Sequence, residues 1–331
     1  MNDRSPMGLR LLNDYQRDFP LVAQPYADIA AHLGLDEATV MDAYREGLTN
    51  GTISRIGAVV APRRLGASTL AAMAVPEDRL EAVAAIVNAH CDVNHNYERE
   101  DHWNLWFVVT ANNEDRRAAV LKDIETKTRL PVLSMPLREE YHIDLGFNLQ
   151  GDDRPKVAQA ENSRAPCALP AIEQALLTAL QEGLSLSSRP YALLGEKAGL
   201  SEAMTLEMLS GWLADGLLKR FGVIVRHRAL GYTANAMCVW NVPDDEVTEL
   251  GRKLAAVPGV TLCYQRERAL PQWPYNLYCM IHGKAREDVL ALRQREAAKL
   301  GLDRFPHQIL FSNRCFKQCG ARYASGNTHH E

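Results

Sequence analysis

The chain contains one sequence pattern twice. The segments Pro25-Tyr26-Ala27 and Pro190-Tyr191-Ala192 match at a spacing of 165 residues (25 to 190), and this spacing holds without a gap from Leu11 to at least Val75. Further matched pairs are Leu11-Leu12 with Leu176-Leu177, Gly34-Leu35 with Gly199-Leu200, Gly51 with Gly216, and Arg55-Ile56-Gly57 with Arg220-Phe221-Gly222. A duplication on this scale predicts two homologous modules with the same fold. The positions at which the repeats differ then indicate where their roles diverge.

The composition is that of an ordinary globular protein. With 331 residues, 47% hydrophobic and 24% charged, the chain can bury more than one core. No apolar run approaches the roughly 18 residues of a membrane span, and the first residues lack a signal-peptide core, which predicts a cytoplasmic protein without a membrane partner. Seven cysteines at irregular spacing favour reduced thiols. The net charge of −4 provides no general attraction to nucleic acid.

Each repeat begins with a helix-turn-helix pattern. In the first repeat, Gly34 marks a sharp turn and Asp36 is placed to cap the next helix. A wing hairpin is predicted to follow in each repeat, because β-branched residues surround a glycine over 51–60 and 216–225. We assign winged helix-turn-helix domains to residues 1–65 and 171–230. The predicted helices cover residues 9–17, 25–33, 36–49, 172–181, 190–198 and 201–214.

The remainder of each repeat follows the order strand, helix, strand, strand, helix, strand. This order is typical of a ferredoxin-like antiparallel sheet covered on one face by two helices. The predicted fold class is therefore α+β, a tandem duplication of a winged helix and a ferredoxin-like sheet, and the two sheets are expected to pair through their faces. The last strand of the second repeat is predicted over 305–311. The sheet domains are assigned to residues 66–150 and 231–324, a linker with three prolines to 151–170, and a flexible tail to 325–331.

This layout resembles that of the Lrp/AsnC transcriptional regulators, so DNA binding is the first function to consider. The candidate recognition helices argue against it. Residues 36–46 contain four acidic side chains and one arginine, and residues 201–216 contain no Lys or Arg. Affinity for DNA comes largely from basic side chains that neutralise phosphates. We therefore expect no DNA partner.

One predicted strand of each repeat breaks the packing rule for a two-layer sheet, in which one face should be apolar. In the first repeat Val93, His95, Tyr97 and Arg99 are expected on one face, and the opposite face is polar as well. The second repeat keeps the Tyr-x-Arg pair as Tyr264 and Arg266, but Leu262 replaces His95. A solvated edge strand would also carry such residues, yet retention of Tyr-x-Arg in both repeats favours a functional role.

A second histidine difference follows the wing of the second repeat, where His227 lies between two arginines and the first repeat has Pro62. An Arg-His-Arg run is also compatible with a solvated hinge. In the functional interpretation, the arginines bind carboxylates through charge-assisted hydrogen bonds. Arginines at related positions make this region basic within an acidic chain, which favours a small polyanion over DNA. They are Arg55, Arg63, Arg64, Arg220, Arg226 and Arg228.

Several motifs together resemble those of the siroheme decarboxylase family in its fused NirDL form. They are Arg55-Ile56-Gly57-Ala58-Val59-Val60, His95-Asn96-Tyr97-Glu98-Arg99, Asn104-Leu105-Trp106-Phe107, residues 220–228, and Arg314-Cys315-Phe316-Lys317-Gln318. The resemblance implies an Lrp/AsnC-like enzyme, a carboxy-lyase, that acts on siroheme in heme d1 biosynthesis. It implies non-oxidative loss of carbon dioxide from the C12 and C18 acetate side chains, giving 12,18-didecarboxysiroheme. No cofactor beyond the iron tetrapyrrole substrate is then needed. A tetrapyrrole-sensing regulator is the alternative function.

The chemistry of decarboxylation suggests roles for the repeat-specific residues. Loss of carbon dioxide leaves negative charge on a methylene carbon, and histidine is a suitable proton donor near neutral pH. We therefore expect His95 and His227 to be catalytic, with Tyr97 and Tyr264 orienting groups or supplying a proton. One of the two histidines could instead bind the siroheme iron, and the protein alone is expected to hold no metal. Carboxylates are expected to be bound by Arg99, Arg226, Arg228 and Arg266, with Arg55, Arg63 and Arg220 nearby.

The duplication also predicts how the chain assembles. The two repeats are expected to form an internal pseudo-heterodimer, in which each supplies a histidine that the other lacks. Homo-oligomers or association with homologous decarboxylase subunits are further partners that the sequence leaves open. It also leaves open whether there is one competent site or two.

Overall fold

The computed structural model describes residues 6–61, 64–143 and 169–320. The predicted linker, except for its last two residues, and the predicted tail lie outside these ranges. The helices are α1 Pro6–Asn13, α2 Pro25–Leu33, α3 Glu37–Thr49, α4 Leu80–Asn88, α5 Glu114–Thr128, α6 Ala171–Gln181, α7 Pro190–Ala198, α8 Glu202–Ala214, α9 Val247–Ala255 and α10 Arg286–Leu300. The strands are β1 Ile53–Val60, β2 Ala67–Met73, β3 Val93–Arg99, β4 Leu105–Ala111, β5 Leu133–Ile143, β6 Leu218–Val225, β7 Ala234–Trp240, β8 Val260–Arg266, β9 Leu277–Gly283 and β10 His307–Gln318.

The helix-turn-helix pattern forms in both repeats for the reasons that the sequence suggests. Gly34 and Gly199 end α2 and α7 in the left-handed conformation, at φ of 67° and 72°, which glycine adopts without a steric penalty. The next helices are capped by side chains, Asp36 accepting from the Thr39 amide at 2.7 Å and Ser201 from an amide of α8. The two repeats thus use the same local signals.

The predicted wing hairpins are wrong. Each wing is a single strand, and β1 pairs antiparallel with β6 of the other repeat, with Gly57 opposite Gly222. No return strand is needed, because each strand satisfies its backbone hydrogen bonds across the repeat boundary. The helices of both repeats also share one core, which includes Leu11, Tyr26, Tyr44, Leu176, Tyr191 and Phe221.

The sheets of the two repeats join into a closed antiparallel barrel of eight strands, in the order β10-β3-β4-β2-β5-β8-β9-β7. The order strand, helix, strand, strand, helix, strand is present in each repeat, as predicted. The spacing of 165 residues predicted up to Val75 is wrong at β2, because Val75 and Val242 form the same hydrogen bond, from the N–H to the Oδ1 of an asparagine, and are 167 residues apart (75 to 242). The two sheets were expected to pair through their faces. This prediction was incomplete, because the edges of the sheets also form hydrogen bonds to each other, β5 with β8 and β10 with β3. Strand β10 is longer than predicted, and its residues from Ser312 to Gln318 pair with β3 of the first repeat.

Apolar side chains fill both surfaces of the barrel wall. The outer surface packs against α4 and α5 in the first repeat and against α9 and α10 in the second. An eight-stranded barrel has an interior just wide enough for side chains, and here large side chains occupy it. They include Trp106, Met237, Trp273, Tyr278, Met280 and Leu310.

Candidate active site

The inward face of β3 carries the residues that the sequence singled out, with one correction. A register shift between Val93 and His95 breaks the alternation, so Val93 packs in the core beneath the helices and is not on the same face as His95. After the shift, Tyr97 is paired with the inward Trp106, whereas Asn96 donates to Asn88 of α4 at 3.0 Å. His95, Tyr97 and Arg99 therefore share the inward face, because side chains alternate along a strand.

Arg99 is buried, with a relative exposure of 7%. Its Nη1 donates to the Leu310 carbonyl at 3.1 Å, its Nη2 lies 3.9 Å from Sδ of Met280, and its guanidinium lies 5.7 Å from the centre of the Tyr97 ring. Burial lowers the pKa of Arg99, and the nearby Tyr264 and Tyr97 oppose that shift. None of the acidic side chains that the structure describes forms an ion pair with it. A buried cation without a carboxylate is unfavourable, so this position suits an anionic ligand.

Arg228 reaches the same place from the second repeat. Alternation along an extended strand would separate His227 from its neighbours, but the chain forms a 3-10 turn at His227–Leu230. From this turn, Arg228 Nη2 donates to the carbonyl and the hydroxyl of Ser312, at 2.7 and 3.0 Å, and Ser312 is paired with Arg99. In the ranges that the structure covers, Arg228 has no ion pair with an acidic side chain either. His227 lies in this turn, but its side chain is outside the described part of the structure.

His95 is half-buried beside a third arginine. Its ring is stacked on Tyr97, with 6.2 Å between centres and 23° between planes. Burial, and secondly the charge of Arg55, lower the pKa of His95 to about 4. Arg55 donates to the Ala58 carbonyl at 3.1 Å, and a Cβ added at Gly320 would lie 3.0 Å from its Nη2. The segment after β10 thus approaches Arg55 closely, and a pKa of about 4 leaves His95 neutral at neutral pH.

Tyr97 lies on β3 between His95, which is near Arg55, and Arg99. Burial, and then Cys315 of β10, raise its pKa, and Cys315 is its cross-strand neighbour. The phenol therefore stays protonated at neutral pH and can donate a hydrogen bond. It has the position and the protonation state that an orienting group requires.

The equivalent residues of the second repeat are arranged differently. Arg266 lies over the Tyr264 ring at 4.6 Å and donates to the Met135 carbonyl at 3.0 Å. Tyr264 stacks on Tyr278, with 5.8 Å between ring centres, and it is close enough to Arg99 to affect its pKa. Leu262, in the position of His95, packs with the apolar interior. This half therefore keeps a cation and a phenol but has no histidine on β8.

Two further predicted site residues, Arg220 and Arg226, lie in or beside the helical layer. Arg220 is buried and donates to the carbonyls of Gln16 and Val223, close to Arg55. Arg226 is exposed, and its backbone N–H donates to the Thr52 carbonyl at 2.7 Å. Arg63 lies outside the described residues. For Arg220 and Arg226, binding of substrate stays a prediction from the sequence.

The structure adds one residue that the sequence interpretation missed, His282 on β9. It follows Tyr278 and Met280 on the inward face, and Arg99 and Arg228 both affect its pKa. A signal existed, because the equivalent position of β4 is Thr110, so this is another histidine present in one repeat only.

Two features are absent from the described ranges, a membrane-spanning helix and a metal-binding group of side chains. No helix within residues 6–61, 64–143 and 169–320 is long and apolar enough to cross a membrane. The same part of the chain holds no group of three or more His, Cys, Asp or Glu side chains arranged to bind a metal ion.

Two helix-turn-helix units joined to a closed barrel with buried arginines define the class of protein. The description "AsnC-like ligand binding domain" matches residues 64–142 and 229–317. "Siroheme decarboxylase NirDL-like HTH domain" matches residues 9–53 and 173–218. The chain belongs to the siroheme decarboxylase NirDL family, which confirms the resemblance inferred from the motifs.

Relatives match over nearly the whole chain. The siroheme decarboxylase NirDL subunit of Paracoccus denitrificans (strain Pd 1222) is 45% identical over 319 residues, 96% of this chain and 97% of that protein. A crystal structure of the siroheme decarboxylase NirDL is 30% identical with a TM-score of 0.68, covering 96% of this chain and 94% of that one. A second, in complex with an iron-uroporphyrin III analogue, is 29% identical with a TM-score of 0.66, covering 95% and 92%.

Proposed function

We propose that the chain decarboxylates siroheme without oxidation, releasing carbon dioxide from the C12 and C18 acetate side chains. The observation that carries this proposal is the placement of Arg55 beside His95 and of Arg99 and Arg228 near Tyr97, none of these arginines being in an ion pair with an acidic side chain of the described residues. A tetrapyrrole with several carboxylates supplies the missing anions. The related NirDL structure in complex with an iron-uroporphyrin III analogue supports a substrate of this kind.

The packed interior limits where the macrocycle can bind. Trp106, Trp273 and Tyr278 fill the centre of the barrel, and interiors of this density contain no space for a tetrapyrrole. In this proposal the macrocycle lies at the end of the barrel where His95 is close to Arg55 of β1, rather than at the barrel centre. From there its carboxylate arms reach the arginines.

His95 supplies the proton in this proposal. Burial, and secondly the charge of Arg55, lower the pKa of His95. A substrate carboxylate bound beside the ring opposes both causes and favours its protonation from solvent. The bond between the carboxylate carbon and the methylene then breaks, and the electron pair remains on the methylene, conjugated with the pyrrole. The ring gives its proton to this carbon as carbon dioxide leaves, which is general acid catalysis by a positioned group. Tyr97 orients the ring by stacking.

The roles expected for the other residues belong to the same proposal. His227 is adjacent to Arg228 in the turn and acts on the substrate from the second repeat. Tyr264, Arg226 and Arg266 contribute a hydrogen bond and positive charge from the periphery, and the iron tetrapyrrole needs no added cofactor. The shared helical core and the closed barrel support an internal pseudo-heterodimer, and a cytoplasmic location remains our prediction.

The test is a single anaerobic incubation of the purified chain with siroheme, followed by mass spectrometry of the tetrapyrrole. We expect the mass to fall by two molecules of carbon dioxide. Tight binding with an unchanged mass would contradict the enzyme and favour the tetrapyrrole-sensing regulator. Siroheme without protein, incubated in parallel, controls for spontaneous loss.

A further inference from the structure

His282 is placed within the active site by the fold. Its side chain points inward from β9, two residues after Met280. The Arg99 guanidinium contacts Sδ of Met280 at 3.9 Å, and Arg228 is bonded to Ser312 beside Arg99. His282, Arg99 and Arg228 therefore come from three separate elements, and both arginines are close enough to His282 to affect its pKa.

A hydroxyl group holds one nitrogen of the His282 ring. Thr261 Oγ1 lies 3.1 Å from the Met280 carbonyl and 2.9 Å from Nδ1 of His282. Nδ1 is thus engaged with Thr261 in either tautomer. We therefore assign proton transfer to Nε2. Such a bond from the second nitrogen orients the ring, as it does for histidines that react or bind metals.

The environment of His282 repeats that of His95. Burial, and then the charges of Arg99 and Arg228, lower the pKa of His282 to about 3, as burial and Arg55 do for His95. Each ring is thus neutral at neutral pH and lies beside an arginine that has no ion pair with an acidic side chain in the described ranges. An anion bound by those arginines would favour the protonated ring in both places.

The other half of the barrel shows that this arrangement is not a requirement of the fold. On β4 the equivalent of His282 is Thr110, and the equivalent of its cross-strand neighbour Asn235 is Ser68. Ser68 and Thr110 form a hydrogen bond to each other at 3.3 Å. The same strand position is therefore filled by two small hydroxyl side chains when no histidine is needed.

We propose that His282 is a further catalytic residue, which gives a proton to the substrate arm bound by Arg99 and Arg228, while His95 serves the arm bound by Arg55. In this step the carboxylate carbon separates from the methylene, the electron pair stays on the methylene, and the Nε2 proton forms the new C–H bond. Carbon dioxide leaves, and the neutral ring is protonated again from solvent. This inference rests on the proposed function, and it assigns two arginine–histidine pairs to a substrate that loses two carboxylates.

The test follows single-turnover decarboxylation of siroheme by the full-length chain, resolving loss of the first and the second carbon dioxide by mass. His282→Asn is expected to bind siroheme within about threefold of the wild type, to lose one carbon dioxide normally, and to slow the other loss by at least about a hundredfold. The intermediate that has lost one carbon dioxide then accumulates. The matched control is His307→Asn, an exposed histidine of β10, which should complete both steps at the wild-type rate.

A milder variant covers the case in which His282→Asn does not fold. Thr261→Val removes the partner of Nδ1 and should slow the same step by about tenfold, as expected for a misplaced proton donor. Added imidazole should restore part of the lost step to His282→Gly, which a merely structural role would not produce. Normal completion of both steps by these variants would overturn the proposal, and so would failure of His282→Asn through lost binding alone. If the wild type releases no carbon dioxide, the proposed function itself has failed instead.

Discussion

On β3 the inward side chains are His95, Tyr97 and Arg99, whereas at the equivalent positions of β8 they are Leu262, Tyr264 and Arg266. The phenol and the guanidinium are common to both halves, and only the group that can transfer a proton near neutral pH differs. His282 and Thr110 show the same difference on β9 and β4. The comparison teaches that both repeats kept the tyrosine and the arginine, whereas each repeat has a histidine at a position where the other has none.

The largest effect should come from removing that proton chemistry. His95→Ala and His227→Ala are each expected to retain the fold and to slow siroheme conversion by at least about a hundredfold, the scale of lost general acid catalysis. Single-turnover rates measured by product mass provide the test. Leu262→Ala is the matched control, because it truncates the equivalent position, lowers stability by about 2 kcal/mol and should leave the rate per folded molecule unchanged. If His95→Ala and Leu262→Ala lowered the conversion rate equally, the two equivalent positions would not differ in function.

The next effect concerns the two buried arginines. Arg99→Met should raise the Kd for siroheme by about tenfold, because a charge-assisted hydrogen bond to a carboxylate is lost. The same variant should unfold at a higher urea concentration, since replacing an uncompensated buried charge by an apolar side chain is often stabilising by about 1 kcal/mol or more. Absorbance titration and urea unfolding measure the two quantities.

Arg266→Met is the comparison variant for Arg99→Met. It should show the same gain in stability with a smaller loss of siroheme affinity, because its position is not joined by a histidine or by a second arginine like Arg228. If Arg266→Met weakens binding as much as Arg99→Met does, the substrate engages both halves equally.

Much of the fold was predictable because its signals are local. Turn glycines such as Gly34, cap residues such as Asp36, and the alternation of helices and strands lie within a few residues of the elements that they specify. The wing hairpins were wrong because the partner of β1 is β6, a strand of the other repeat. No local pattern distinguishes a strand that returns on itself from one that pairs at a distance.

The site was predictable where the two repeats could be compared directly. His95 was found because Leu262 replaces it within a strand that is otherwise similar. Val93 was placed on the wrong face because a register shift interrupts the alternation. The second half of β10 was missed because two register shifts, around Ser312 and Cys315, disrupt its pattern. His282 was missed because the spacing between repeats changes before β9, so its counterpart is identified only once the strands are paired.

The smallest expected effect is the pH dependence of stability that His95 contributes, in addition to the contribution of His282 from the other half. His95 has its pKa lowered to about 4 in the folded chain, whereas an unfolded histidine titrates near 6.5. Between these values the unfolded chain binds more protons, so stability must fall as the pH is lowered through this window. From about pH 7 to about pH 6, His95 should contribute a loss of less than about 1 kcal/mol. Urea unfolding of His95→Asn should show a shallower loss than the wild type, whereas Leu262→Ala should shift the midpoint without altering the slope with pH. An unchanged slope in His95→Asn would mean that the His95 ring is not held neutral in the folded chain.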